Sequence, residues 1–362
     1  MYTLVLVMKK LIKSIFWNLV ILFSLTLLFY EIGEAQGQKG TEECLECHRD
    51  KALSTTLANG TEINLYIDPI AFAESVHGQN IRCIDCHRDI TEYPHPERQY
   101  KNRRDYTIAY YESCKHCHFD NYTKTLDSVH YKLFSEGDSR APVCVDCHGS
   151  HYITRPEIPR TKISETCARC HREINAAYKA SVHGKALTEE ANLDVPVCTD
   201  CHRSHNIEDP RTASFILKTP ELCGTCHTNE RLMQKYGLST GVLKTYLTDF
   251  HGMTSAFYRQ EKGKISVFTA VCIDCHGVHD ITKTDAPNSP VMQANLVNTC
   301  RKCHPDATAN FPAAWMSHYE PSFKKFPLVY LVKLFYRIFI PFIIGGIVLQ
   351  VFLHVWRMAI NR

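Results

Sequence analysis

The chain has 362 residues, of which 44% are hydrophobic, and a formal net charge of +3 at pH 7. Because acidic and basic residues are mixed evenly, it has no basic stripe of the kind that binds nucleic acid. Its length permits two or three domains. Two residue types are far above ordinary usage, since the chain contains 18 cysteines and 20 histidines.

The first 35 residues have the pattern of an export signal. Lysines at positions 9, 10 and 13 precede an apolar run over residues 15–30, and the small-x-small sequence Gly-Glu-Ala follows at residues 33–35. The run is shorter than the roughly 20 residues that a spanning helix needs. We therefore predict a cleaved signal peptide over residues 1–35, with a retained N-terminal anchor as the alternative.

All 18 cysteines fall in nine Cys-x-x-Cys-His motifs. The motifs are Cys44/Cys47/His48, Cys83/Cys86/His87, Cys114/Cys117/His118, Cys144/Cys147/His148, Cys167/Cys170/His171, Cys198/Cys201/His202, Cys223/Cys226/His227, Cys272/Cys275/His276 and Cys300/Cys303/His304. A disulfide framework gives no reason for a histidine after every second cysteine, and zinc sites would need a second ligand pair at a repeated distance.

Covalent haem attachment explains this spacing. Two thiols three residues apart can add to the two vinyl groups of one porphyrin, and the following imidazole then meets the iron. The sequence thus predicts nine covalently attached c-type haems with the motif histidines as proximal ligands. Haem is joined to such motifs outside the cytoplasm, so we expect the chain to be exported.

Nine further histidines recur in similar settings between the motifs. After odd-numbered motifs they occur as Ser-Val-His, Asp-Phe-His or Ser-His-Tyr. After even-numbered motifs they occur as Cys-His-x-x-His, or once as Tyr-Pro-His-Pro. Because nine irons need nine sixth ligands, we predict that the distal ligands are His77, His95, His130, His151, His183, His205, His251, His279 and His318.

Three of these histidines raise the question of which iron they meet. His151, His205 and His279 each lie three residues after the histidine of their own motif. A tether this short should not reach the opposite face of the same ring, so we expect each to ligate a different haem. His116 lies inside an attachment loop, where a similar restriction predicts a solvated residue.

The haem region predicted over residues 36–322 has little room for a conventional side-chain core, because the porphyrins fill its apolar interior. We predict a mainly α fold with sparse regular structure, built around stacked haems in repeated two-haem units. A helix is expected around residues 173–181, a small hairpin within residues 58–68 and a loop over residues 284–290.

The last 40 residues, 323–362, are predicted to hold a juxtamembrane segment and a transmembrane helix. Residues 338–356 contain no charged side chain, and that length suits a membrane span. The alternative is a buried core helix. The terminal arginines, Arg357 and Arg362, favour a cytoplasmic C-terminus, which agrees with haems on the outer side.

His354 lies near the inner end of this predicted span. An ionisable residue inside a membrane is a candidate for function, so His354 could ligate a b-type haem shared with a partner subunit or line a quinone site. The alternative is an interfacial histidine beside Trp356 and Arg357.

The passage over residues 64–96, together with residues 144–151 and 272–279, resembles the multihaem c-type cytochromes with doubled Cys-x-x-Cys-His motifs. These are periplasmic electron carriers of respiring bacteria and archaea. The resemblance implies that histidines in Ser-Val-His and Cys-His-x-x-His are distal ligands. Membrane-anchored relatives often take electrons from quinol, but the best-known quinol dehydrogenases have few haems and an N-terminal anchor.

These patterns predict an electron carrier at the outer, periplasmic face of the cytoplasmic membrane. Its partners would be an integral quinone-linked or cytochrome b-type subunit and periplasmic or outer acceptors. No catalytic residue is predicted, because two axial histidines leave no open iron position. The alternatives are a reductase or oxidase of small nitrogen or sulfur compounds at one open haem, and a filament of stacked haems, which the C-terminal span disfavours.

Overall fold

The computed structural model describes Trp17 and residues 40–156, 158–260, 269–314 and 318–360. The predicted signal peptide, apart from Trp17, therefore lies outside the described residues. Over the described ranges the chain is mainly α-helical, with a single two-stranded sheet. The prediction of a mainly α fold is confirmed.

The helices are short, apart from the last. The first, α1, covers residues 40–48. The others are α2 Pro69–Glu74, α3 Cys83–Cys86, α4 Arg103–Tyr111, α5 Phe119–Leu126, α6 Val129–Ser135, α7 Cys144–His148, α8 Thr161–Ala168, α9 Arg172–Ala180, α10 Val182–Thr188, α11 Cys198–His202, α12 Ala213–His227, α13 Glu230–Gln234, α14 Val242–Thr248, α15 Phe250–Gln260, α16 Cys272–His276, α17 Gln293–Arg301 and α18 Pro327–Ile360, with 3-10 helices at Glu112–His116 and Pro312–Ala314.

The sheet is the hairpin that the Asn-Gly turn predicts. Strand β1, Ser54–Thr56, pairs antiparallel with β2, Glu62–Asn64. Gly60 has a φ of +82°, a backbone conformation that glycine adopts without steric cost. The first strand begins before the predicted range. The helix expected around residues 173–181 is α9, and residues 284–290 lie outside helices and strands, as predicted.

The chain divides into two compact units. One comprises Met1–Cys167 with His202–Glu208, and the other Ala168–Cys201 with Asp209–Arg362. Few large side chains are fully buried in either. Leu45, Leu57 and Ile63 are at most 5% exposed in the first unit, and Leu187 and Leu217 are 2% exposed in the second. A sparse side-chain core is what a haem-filled interior would require.

The even-numbered motifs each form one helical turn that begins at the first cysteine. The aspartate before the second cysteine accepts a hydrogen bond from the backbone N–H of the residue before the first. These bonds measure 2.7 Å for Asp85, 2.7 Å for Asp146, 2.6 Å for Asp200 and 2.7 Å for Asp274. A carboxylate at this position satisfies an otherwise unpaired N–H, and its negative charge is stabilised by the positive end of the helix dipole.

The odd-numbered motifs lack this aspartate and have a different local structure. They lie at the ends of longer helical segments: α1, the 3-10 helix Glu112–His116, α8, α12 and α17. Both kinds of motif still display two cysteines and a histidine on one turn. The chain therefore presents the same attachment triplet from two local frameworks.

The C-terminal helix α18 has 34 residues and contains the predicted span over residues 338–356. Its most apolar window has a mean hydropathy of 2.3, and none of that window is buried. At 1.5 Å per residue the helix is about 51 Å long, longer than the roughly 30 Å of a bilayer's hydrocarbon core. By length and composition α18 could span a membrane.

Candidate haem sites

In the part of the chain that the structure describes, seven motif histidines each face a second histidine. Every one of these seven pairs joins a motif histidine to a predicted distal histidine, with ring centroids 6.0–6.3 Å apart. The pairs are His48 with His95, His118 with His77, His87 with His151, His148 with His205, His227 with His183, His304 with His251 and His276 with His318.

This spacing fits one metal ion held between two imidazoles. A bond from a metal to an imidazole nitrogen is about 2 Å, so two ligands on opposite sides have their ring centroids roughly 6 Å apart. Aromatic rings that pack directly spread over about 4.5–7 Å. The narrow range of the seven distances is therefore better explained by the same kind of metal ion between the two rings of each pair. Haem iron with two histidine ligands fits this spacing.

The hydrogen bonds of the first pair orient both rings for metal binding. Nδ1 of His48 lies 2.9 Å from the carbonyl oxygen of Leu65, and Nδ1 of His95 lies 3.0 Å from that of Pro96. Because a carbonyl can only accept, each Nδ1 carries the proton. Each Nε2 then keeps its lone pair for a metal, the usual arrangement for a ligating histidine.

Burial favours the neutral imidazole that a metal ligand must be. It lowers the pKa of His87 to about 4, with the nearby charge of His151 as the next cause. It also lowers the pKa of His183 to about 4, with His227 as the next cause. Since a protonated imidazole cannot bind a metal through that nitrogen, these shifts prepare both rings for ligation.

Four histidines of the predicted set lie outside these seven pairs. Two are motif histidines, His171 and His202, and two are predicted distal ligands, His130 and His279. His130 is the second residue of α6, and His279 lies in the loop after α16. Two motif histidines and two predicted distal histidines thus remain, as the prediction of one distal ligand for each motif requires.

The pairs follow a rule that the motif spacing alone does not reveal. His77, His183 and His251 face the next odd-numbered motif, whereas His151 and His205 face the preceding even-numbered motif. His151 and His205 thus meet a histidine of another motif, as the short tether predicts. These five pairs therefore join histidines that belong to different motifs along the chain.

A side chain two residues earlier begins the turn that holds each Ser-Val-His or Asp-Phe-His histidine. Ser75 accepts from the N–H of Gly78 at 3.0 Å, and Ser128 accepts from the N–H of His130 at 3.2 Å. Ser181 accepts from the N–H of Gly184 at 3.1 Å. Asp249 accepts from Gly252 at 2.9 Å in the same way. The aspartate thus replaces the serine without loss of the helix cap.

Three glycines that follow these histidines allow a close backbone approach. A Cβ at Gly78, Gly184 or Gly252 would overlap the carbonyl oxygen of Phe72, Tyr178 or Tyr246, respectively. The sharp turn between α9 and α10, and that between α14 and α15, therefore require a residue without a side chain. The histidine before each glycine is aimed by this turn.

Backbone hydrogen bonds join pairs of distal-ligand segments. The N–H of Val76 donates to the carbonyl of Ile153 at 2.9 Å, two residues beyond His151. Val129 donates to Ile207, and Val182 to Ile281, each at 2.8 Å. The same bond thus links a Ser-Val-His segment to a Cys-His-x-x-His segment three times. One backbone hydrogen bond thus joins the segments that carry two predicted distal histidines from different motifs.

The first cysteines of consecutive motifs also lie together. The thiols of Cys44 and Cys83, of Cys114 and Cys144, and of Cys223 and Cys272 lie close to each other. Each contact joins the first cysteine of an odd-numbered motif to that of the following even-numbered motif. The attachment points of the two groups in a unit therefore adjoin.

The second cysteines of the motifs are on the whole closer to solvent than the first. All nine first cysteines are half-buried. The second cysteine is exposed in seven motifs, at Cys47, Cys86, Cys117, Cys147, Cys170, Cys201 and Cys303. It is half-buried at Cys226 and Cys275. The motif spacing does not predict this difference.

Three second cysteines of even-numbered motifs lie near the following odd-numbered motif. The thiol of Cys201 lies near the thiols of Cys223 and Cys226, whose charges would raise its pKa. Burial raises the pKa of Cys275 to about 11, with Cys300 and Cys303 among the further causes. Cys86 lies in the same way near Cys114 and Cys117. Attachment points of successive two-haem units thus approach each other.

Covalent attachment of haem by both cysteines of each motif stays a prediction. The two thiols of a motif differ in exposure, yet both lie on the turn that carries the motif histidine. The predicted task of the second cysteines is the same as that of the first cysteines. This prediction includes the second cysteines Cys47, Cys117, Cys147, Cys170, Cys226 and Cys303.

Two histidines outside the predicted ligand set are exposed. His116 ends the first 3-10 helix, and its exposure agrees with the solvated residue expected from the short loop. His354 lies on the exposed surface of α18. Sequence reasoning missed the capping role of Asp249 and of the motif aspartates. The recurrence of aspartate before the second cysteine, at four motifs, was the signal available.

A family model described as cytochrome c3 matches residues 136–228, a range that contains four of the nine motifs. This match supports a multihaem c-type cytochrome. Comparisons with curated proteins and with solved structures found no match. Electron transfer through several haems is the activity that the family description and the paired histidines share.

Proposed function

We propose that this chain is a membrane-anchored cytochrome with nine c-type haems, which carries electrons between a membrane partner and periplasmic or outer acceptors. The observation that supports it best is the pairing of seven motif histidines with seven distal histidines at 6.0–6.3 Å. In the proposal all nine irons have two histidine ligands, including those of His171 and His202.

Each kind of residue has one task in this proposal. The paired cysteines hold the haem covalently, and the two imidazoles fill both axial positions. The bound haem supplies a one-electron carrier whose potential depends on its axial ligands and surroundings. Because the histidines occupy both positions, the chain offers no place for a substrate on iron. The protein shell orients the imidazoles and limits the access of water.

The contacts between attachment cysteines support transfer along a row. Cys44 with Cys83, and Cys223 with Cys272, bring consecutive attachment points together in the first and second unit. Short separations between neighbouring carriers are the main requirement for a conduit. The segments that hold the distal ligands join further neighbours, as at Val76 and Ile153.

The membrane end of the proposed conduit is the C-terminal one. His318, which faces His276, lies nine residues before α18 begins at Pro327. We assign to α18 the anchor, with Arg357 on the cytoplasmic side and the haem region outside. The proposed donor or acceptor in the membrane is a quinone-linked or cytochrome b-type subunit, and it would exchange electrons near the eighth and ninth motifs.

His354 belongs to this proposal as a ligand of a shared b-type haem or as part of a quinone site. The test replaces His354 with alanine and measures the rate at which quinol reduces the c-type haems in membranes. Gln350→Ala, a polar change in the same helix, is the matched control. A large loss for His354→Ala alone supports the assignment, and an unchanged rate assigns His354 to the interface.

The proposed function is tested on the purified full-length protein. Haem analysis should give nine haems per chain, and low-temperature EPR of the oxidised protein should show low-spin iron throughout. Cyanide and nitrite should leave the spectrum unchanged. A high-spin signal equivalent to one iron, or rapid binding of either anion, would contradict an electron carrier and favour a reductase.

A further inference from the structure

The seven histidine pairs fall into two groups by the angle between their ring planes. The angle is 13° for His48/His95, 16° for His87/His151, 26° for His148/His205 and 18° for His276/His318. It is 47° for His118/His77, 49° for His227/His183 and 50° for His304/His251. No pair lies between 26° and 47° among these seven.

The distal histidine decides the group. The near-parallel pairs contain His95, His151, His205 or His318, which all lie outside helices; with His279 we call them the loop histidines. The tilted pairs contain His77, His183 or His251, each two residues after a capping serine or aspartate. With His130, which follows Ser128 in the same way, these are the capped histidines.

The cap gives a physical reason for the common tilt. A side-chain oxygen that accepts from the backbone two or three residues later fixes the first turn of the segment. The Cα–Cβ direction of the histidine inside that turn is then fixed as well, and few rotamers remain. The glycine after His77, His183 and His251 adds to this restriction, because it packs the turn onto the preceding carbonyl.

We propose that Ser75, Ser128, Ser181 and Asp249 are positioning residues that hold four distal imidazoles at a tilt, and so divide the nine haem irons into a tilted class of four and a near-parallel class of five. The inference rests on the proposed function, since it requires two histidine ligands on each iron. It adds that the first two motifs are both near-parallel and that, from the second motif onward, near-parallel and tilted irons alternate along the chain.

The relative orientation of two axial imidazoles affects the iron directly. In low-spin ferric iron, parallel rings direct their π interaction along the same axis and separate two of the d orbitals strongly. Tilted rings partly cancel this effect, so the same orbitals lie closer in energy. The tilted class therefore has a larger highest g value in EPR, and the near-parallel class has a more rhombic spectrum.

The first test is the low-temperature EPR spectrum of the oxidised full-length protein. Two low-spin components are expected, with integrated intensities in a ratio of four to five. Replacing His183 with methionine should remove intensity from the component with the larger highest g value. Replacing His151 in the same way should remove it from the rhombic component. A single low-spin component, or the reverse assignment, overturns the inference.

The second test addresses the cap itself. Ser181→Ala removes the acceptor of the Gly184 N–H, whereas Ser181→Asp introduces the residue that already serves at Asp249. Thr188→Ala is the control, because the Thr188 hydroxyl donates to the Gly184 carbonyl at 2.9 Å on the same helix and makes no cap. Ser181→Ala should shift the highest g value of one tilted iron, and Ser181→Asp and Thr188→Ala should leave it unchanged.

The outcomes separate this inference from the proposed function. If Ser181→Ala leaves every g value unchanged while all irons stay low-spin, the positioning role is wrong and the electron carrier stands. If a high-spin iron is present in the unmodified protein, the proposed function is wrong. Absorbance of the haem per chain confirms that each variant has folded and carries its full set of haems.

Discussion

Two segments of the second unit have different sequences and the same geometry. Residues 178–184 and residues 246–252 each join two helices and hold a distal histidine, His183 in the first and His251 in the second. The paired ring centroids lie 6.3 Å and 6.2 Å apart, with tilts of 49° and 50°. The first segment has Ser-Val before its histidine, and the second has Asp-Phe.

The agreement rests on four residues at equal spacing. Tyr178 donates its hydroxyl to the carbonyl of Pro196 at 2.8 Å, and Tyr246 donates to that of Ala270 at 3.0 Å. Each carbonyl belongs to the residue two before the next motif's first cysteine. A cap, a histidine and a glycine follow each tyrosine. The comparison teaches that the cap's acceptor oxygen matters, whereas the identity of the capping residue does not.

Removal of either distal histidine should have the largest effect. His183→Ala and His251→Ala each leave one iron with a vacant axial position, so one of the nine irons should become high-spin. The measurement is EPR with and without cyanide, which should bind only the vacant iron. Because the segments are equivalent, both variants should behave alike. A fully low-spin spectrum for one variant would show that its histidine is no ligand.

The glycines should come next. Gly184→Ala and Gly252→Ala each place a Cβ against a tyrosine carbonyl, and overpacking of this kind costs about 1–3 kcal/mol. Denaturant unfolding followed by the haem absorbance should show a similar loss in both. Gly345→Ala in α18 is the control, since no atom lies within 4 Å of the added Cβ. Equal stability of Gly184→Ala and the unmodified protein would contradict the close approach.

The tyrosine hydroxyls should contribute less. Tyr178→Phe and Tyr246→Phe each remove a hydrogen bond to a backbone carbonyl, which is worth about 1 kcal/mol, and Tyr246→Phe also removes a contact with the buried Ser255. The loss should be similar in the two segments when the free energy of unfolding is compared. Tyr236→Phe provides a comparison at an exposed tyrosine of the same unit, whose hydroxyl bonds to the side chains of Asn192 and Asp194 and to no backbone carbonyl of the described residues. A loss confined to one segment would show that the two are not equivalent.

Exchange of the caps should have the smallest effect. Asp249→Ser and Ser181→Asp keep an acceptor oxygen, so each should change the free energy of unfolding by only a few tenths of a kcal/mol. Asp249→Ala should cost about 1 kcal/mol, as the loss of a helix cap does. Thermal unfolding of the three variants gives the order. If Asp249→Ser lowers the free energy of unfolding as much as Asp249→Ala does, the role of Asp249 depends on its charge.

Much of the candidate site could be predicted because it depends on short spacings. The nine attachment triplets, the nine candidate distal histidines and the mainly α class follow from local patterns in the sequence. For His151 the short tether predicts only that it does not ligate the haem of its own motif, and it does not predict the pairing with His87. Which partner a histidine faces depends on the path of the chain between motifs, and no local spacing records that path.

The caps illustrate a second limit. Ser128 and Asp249 look unrelated as residue types, yet each presents one oxygen to the backbone N–H groups that follow. Both side chains can accept a hydrogen bond, and a comparison of residue types does not reveal this shared property. By its letter Asp249 departs from the repeat, whereas the structure makes it an equivalent member.

The bonds from Val76 to Ile153, from Val129 to Ile207 and from Val182 to Ile281 have a consequence for biogenesis. In the proposed function each bond couples segments that hold the distal histidines of two separate haems, so a chain lacking one haem would lose part of the support for the next. Incompletely loaded molecules should thus be open to proteases well beyond the empty position. A cell that makes this chain under iron limitation should accumulate few, fully loaded copies instead of many partly loaded ones.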